Sequence, residues 1–123
     1  MSPPTIPATT TELLALCQDA APALAWNRFL SNDSLLTGVW ALVPGARVRV
    51  NCPHERGQCA TRFYASLTTP GVSFEPMDES QDVLSALRLV AAEAAHSRDS
   101  YWQHVGRALR DLIDQPPAAA EPT

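Results

Sequence analysis

The stretch Ala46-Arg47-Val48-Arg49-Val50-Asn51-Cys52 decides the fold. Polar and apolar side chains alternate along it, and a period of two places Val48, Val50 and Cys52 on one face and Arg47, Arg49 and Asn51 on the other. A strand with one dry and one wet face is predicted. Downstream, His54-Glu55-Arg56-Gly57 has turn chemistry, and Thr61 to Leu67 reads as a returning strand. Pro70-Gly71 supplies a second turn, and Val72-Ser73-Phe74 a third strand that Pro76 stops. The product is a three-stranded antiparallel meander. If the first turn is centred on Glu55-Arg56, Cys52 faces Cys59, Val50 faces Thr61, Val48 faces Phe63, and Arg49 faces Arg62. Cys59, Phe63, Ala65, Leu67, Val72 and Phe74 then join the dry face. Arg62, Tyr64, Ser66, Ser73 and Glu75 join the wet one.

Helical periodicity flanks the meander on both sides. Thr9 and Glu12 have capping-box spacing ahead of Leu13, Leu14, Leu16, Cys17 and Ala20, so a first helix starts near Thr10. Pro22 interrupts it, with a restart carrying Leu24, Ala25, Phe29 and Leu30. A short third helix is expected from Ser34 to about Leu42, bearing Leu35, Leu36, Val39 and Trp40, and closed by Pro44-Gly45. Asp78, with Gln81 three residues on, caps a C-terminal helical region whose apolar stripe runs from Val83 to Ile113. One helix from Glu79 to Asp114 would extend about 50 Å, so a break near Ser97-Arg98-Asp99 is favoured. The predicted architecture is α+β: N-terminal helices, the three-stranded meander, and a C-terminal helical region packed on one face of the sheet. A single domain spans 10–115, with Pro-rich tails at 1–9 and 116–123.

Composition narrows the chemistry. The chain has 123 residues and a net charge of −4, and its nine basic residues are all arginine. Without a lysine side chain there is no Schiff-base lysine and no phosphate loop ending in Lys. The arginine, alanine and proline bias suggests a GC-rich bacterial or phage genome. Three cysteines make no paired disulfide framework, there is no secretory signal pattern, and no apolar run approaches a membrane span. A cytoplasmic location and no membrane association are expected.

Candidate reactive groups each have a plainer reading. Cys52, His54 and Cys59 are the only cluster of soft metal ligands, yet their spacing matches no standard zinc site, and two small core side chains beside a turn histidine explain them as well. Cys17 with His96 or His104 would be a nucleophile and base, but Cys17 lies on an apolar helical stripe. Carboxylates at Glu75, Asp78, Glu79 and Asp82 suit the positive end of a helix. No cofactor, metal or enzymatic activity is expected.

Charge segregation points instead to binding. Between Ala46 and Ser66 there are four arginines and one glutamate, or +3, which leaves −7 for the rest of the chain. Arg47, Arg49, Arg62 and Tyr64 on the wet sheet face are the expected docking surface for a protein partner, because Arg and Tyr are enriched where proteins meet. The acidic group Glu75, Asp78, Glu79 and Asp82 is the alternative surface. Self-association is expected through Trp102, Val105, Leu109 and Leu112. The order helix, three strands, helix resembles double-stranded-RNA-binding domains, which implies nucleic acid as a second partner class. Those domains carry a lysine-rich stretch at the start of the last helix, where this sequence has Asp78, Glu79 and Asp82. A nucleic-acid-binding or small zinc-binding regulatory domain is therefore the alternative to an adaptor or inhibitor that binds protein.

Overall fold

The computed structural model describes residues 10–28, 36–55, 58–59 and 62–115; the predicted tails at 1–9 and 116–123 lie outside them. The deciding stretch is a strand, β3 (Ala46–Glu55), with Val48, Val50 and Cys52 fully buried on one face. Arg47, Arg49 and Asn51 occupy the other. The remaining strands are β1 (Trp26–Arg28), β2 (Leu36–Val43), β4 (Gln58–Cys59), β5 (Tyr64–Thr69) and β6 (Val72–Phe74). They form an antiparallel sheet in the order β1-β2-β3-β5-β6, with β4 pairing only to the far end of β3.

Two Pro-Gly pairs make the tight turns. Pro44-Gly45 joins Val43 to its partner Ala46, and Pro70-Gly71 joins Thr69 to Val72. Gly45 and Gly71 have φ of 91° and 92°, the left-handed conformation that a type II turn requires at its third position and that a Cβ disfavours. Proline supplies the fixed φ before each.

Two expectations for the N-terminal half are corrected. Pro22 does not restart a helix; α1 (Thr10–Ala20) ends before it, and the chain turns into the short strand β1. The predicted helix from Ser34 to Leu42 is β2 over its described part, so the sheet has five main strands rather than three. Leu36, Val39 and Trp40 match a helical period, but Val39, Ala41 and Val43 alternate inward, and eight consecutive register pairs with β3 satisfy the backbone as a sheet. Phe29, Leu30 and Leu35 fall outside the described residues.

The register is also corrected. Val48 faces Leu67 rather than Phe63, Val50 faces Ala65, and Arg49 faces Ser66 rather than Arg62. On the β4 side, His54 rather than Cys52 faces Cys59. The slip between β3 and β5 is four residues, an even number, so every side chain keeps its assigned face. Phe63, Ala65 and Leu67 are accordingly buried with Val48 and Val50. Val72, at the tip of the last hairpin, is the exception at 56% exposure.

Helices α1, α2 (Val83–Ala95) and α3 (Ser100–Ile113) gather on the inward face. The C-terminal stripe breaks near Ser97–Asp99, as its length requires. Asp99 caps α3 through a hydrogen bond accepted from the Tyr101 N–H at 2.9 Å, and Gln103 Nε2 donates to the Ser97 carbonyl at 2.6 Å across the break. The N-cap of α2 is Asp82, not Asp78: its Oδ1 accepts from the Ser85 N–H at 2.7 Å. Antiparallel packing of α2 and α3 depends on Gly106, where an added Cβ would lie 2.5 Å from the Ala95 nitrogen and 2.7 Å from the Ala91 oxygen. α3 reaches the sheet through Tyr101, whose hydroxyl donates to the Gly45 carbonyl in the β2–β3 turn.

Candidate interaction surface

With all three helices on one side, the opposite face of the sheet has no covering layer among the described residues. Register fixes what it displays. One row crosses the strands as Asn27, Trp40, Arg49 and Ser66, of which Trp40 and Arg49 are half-buried and Ser66 is buried among its neighbours. The next row runs Leu42, Arg47, Thr68 and Ser73, and a third holds Gly38, Asn51 and Tyr64. The surface mixes guanidinium groups with apolar side chains, the mixture typical of the centre of a protein interface.

Arg47 and Trp40 are diagonal neighbours, and the Arg47 guanidinium carbon sits 4.2 Å from the centre of the Trp40 ring. Stacking of this kind holds the cation on the indole face while leaving its N–H edge free to meet an acceptor. Leu42, beside Arg47, is 63% exposed. Arg49 is half-buried, and burial first, then the neighbouring Arg47 charge, pulls its pKa below the usual arginine value, while Glu75 acts against them. The Tyr64 hydroxyl donates to the Pro76 carbonyl at 3.1 Å. Its pKa is raised, by burial first and then by the charge and hydrogen bond of Glu75, with smaller contributions from Glu93 and Glu79.

Of the residues expected on this face, Arg47, Arg49 and Tyr64 are brought together with Glu75 close by. Arg62 is not. It precedes β5, and its Nη1 lies 3.9 Å from Glu79 Oε1, an ion pair between exposed side chains that contributes little to stability. The acidic group divides likewise. Asp78 and Glu79 line a polar groove with Arg62 and Met77, whereas Asp82 serves as the helix cap. Trp40 and Leu42 were missed as surface residues, since reading Leu35 to Trp40 as helical assigned Trp40 to a core stripe. The signal that finds them is the Val43-Pro44-Gly45-Ala46 turn, which makes the preceding apolar run a hairpin strand.

Several of the other candidate residues lie in the core. Trp102, Val105 and Leu109 are buried in the chain's own core, with Trp102 against Phe74 and Tyr101, so the long stripe has an occupant without a second copy; Leu112 is half-buried against the same core. Cys17 is buried on α1, and burial raises its thiol pKa far above the usual range, the opposite of what a nucleophile needs. Cys52 is buried on β3, and the side chains of His54 and Cys59 lie outside what is described. Among the described residues, no three His, Cys, Asp or Glu side chains converge as metal ligands, and no helix is long and apolar enough to cross a membrane. Among the described residues, the order of one helix, five main strands and two helices also departs from the helix, three strands, helix pattern that resembled RNA-binding domains. The chain matches no protein family, no characterised protein and no solved structure.

Proposed function

We propose that the chain is a non-enzymatic protein-binding module, an adaptor or inhibitor of a bacterial or phage-related protein complex, and that it docks its partner on the open face of the sheet. The observation that carries this reading is the composition of β2 on that face. A strand with one side in water ordinarily alternates apolar-in and polar-out. β2 instead turns Trp40 and Leu42 outward, next to Arg47. Trp and Arg are the residues most often found as energetic anchors of protein interfaces, and an exposed Leu beside them extends the apolar centre of such a contact. A reducing, cytoplasmic setting accompanies this reading, with Cys17 as a buried thiol.

The test uses the chain as bait in its source cell, with the captured partner identified and then titrated as purified protein. Replacing Leu42→Thr and Arg47→Gln together should weaken that titration at least tenfold and lower the thermal midpoint by only a few degrees, since both side chains are exposed and no like charges are placed opposite each other. Arg110→Glu, on the exposed side of α3, is the control and should bind as the parent does. Equal affinity of the sheet-face variant and the parent removes this face from consideration. A captured species that is nucleic acid, released with the salt dependence of phosphate contacts, replaces the reading with the other partner class.

A further inference from the structure

On the helix-covered side, a second site is built from different residues. Where the last turn of α1 meets the first turn of α2, a cavity of about 300 Å³ opens to the surface. Its walls are Leu16 and Ala20 from α1, Leu84 from α2, and Phe63 from just before β5. Two exposed carboxylates, Asp19 and Asp82, stand at its rim, and none of its described lining residues is basic. The volume is at the lower end for ligand sites, enough for one or two apolar side chains rather than a cofactor.

The sign of charge at the mouth selects the occupant. The C-terminal end of α1, whose last turn carries no basic residue, presents carbonyl groups, which favour a cation. The N-terminal end of α2 presents N–H groups, which favour an anion, but its cap is already made: Asp82 Oδ1 takes the Ser85 N–H at 2.7 Å and the Asp82 carbonyl takes the Ala86 N–H at 3.1 Å. The two helix ends oppose each other, and the full charges of Asp19 and Asp82 decide the field. Asp78 and Glu79 continue it along the adjoining groove, where Arg62 is the one basic residue among the described lining residues.

The geometry points to a docking site for a basic amphipathic segment of a partner protein, with a leucine or phenylalanine seated between Leu16, Ala20, Phe63 and Leu84 and a flanking arginine or lysine over Asp19 and Asp82. This site is independent of the sheet face and would bring a second segment, or a second partner, to the same adaptor.

The experiment is a ¹H–¹⁵N NMR titration of the full chain with the peptide acetyl-Ala-Arg-Leu-Phe-Arg-Ala-amide. Saturable shifts are expected at the amides of Leu16, Asp19, Ala20, Val83 and Leu84, with the outer sheet face unaffected. The peptide with both arginines replaced by glutamate should fail to saturate, as should the one with Leu-Phe replaced by Ser-Ser. Asp19→Asn with Asp82→Asn removes both charges while asparagine keeps the helix cap, and should weaken the basic peptide about fivefold. Absence of saturable shifts, shifts centred on β2 and β3, or equal binding of the acidic peptide would each overturn the assignment. Because the sheet-face variants leave this pocket intact, the two sites fail or succeed separately.

Discussion

Cys17 shows how one buried residue sets a property of the whole chain. Its side chain is fully buried on α1, and desolvation alone raises the pKa of its thiol far above the ordinary value of about 8.5. The unfolded chain therefore ionises at this position while the folded chain does not. With more protons bound in the folded state, stability is intact below the unfolded pKa and falls as pH rises above it. For one such group the slope approaches about 1.4 kcal/mol per pH unit. Chemical denaturation at steps from pH 7 to 10 should show this loss, and Cys17→Ala, although less stable at neutral pH, should show a distinctly flatter decline. Parallel curves for the two proteins would mean that the thiol is not desolvated as described. Tyr64, also raised, adds a loss of the same sign only above about pH 10.

At the scale of elements, α2 and α3 form a hairpin whose closeness is set by one glycine. A methyl group at Gly106 meets backbone atoms of α2 at 2.5 and 2.7 Å, which no rotamer change relieves. Alanine's better helix propensity, about 1 kcal/mol, works in the opposite direction. Overpacking against backbone commonly costs about 1–3 kcal/mol, so Gly106→Ala should be destabilising on balance, with a midpoint lowered by several degrees in thermal unfolding. An unchanged or raised midpoint would show that the helices stand further apart.

The elements also show what was legible in the sequence. β3 could be read because its two faces differ: arginine and asparagine outward, valine and cysteine inward. The break between α2 and α3 could be read because a continuous stripe from Glu79 to Asp114 is too long for the domain and Asp99 is a competent cap. β2 could not be read by alternation, because Trp40 and Leu42 make its outer positions apolar as well, and a short apolar run is ambiguous between helix and strand. The register slipped because His54 and Glu55 pair with Cys59 and Gln58 in the small β3–β4 ladder before β5 begins, a local pairing that no periodicity announces. Of the candidate site, Arg47, Arg49 and Tyr64 were legible with β3 and its partner, whereas Trp40 and Leu42 were hidden along with β2.

At the scale of the molecule, the described residues form two layers where three would be needed to cover both faces of the sheet. Helices supply the second layer on the inner face, burying Val39, Val48, Val50, Leu67, Val90 and Leu109 completely. The strand that failed to alternate is the one whose outward side chains want a third. That link between a strand hidden from the sequence pattern and an uncovered surface is the core of the proposal, in which a protein partner provides the missing layer. Hydroxyl-radical footprinting of the chain, alone and bound to its captured partner, tests it at the level of side chains. Free chain should react faster at Leu42 than at the buried Leu67 and Leu109. On binding, Trp40, Leu42 and Tyr64 should become protected while Tyr101, on the helical side, keeps its reactivity. Protection confined to the helices, with Trp40 and Leu42 unchanged, would contradict the account.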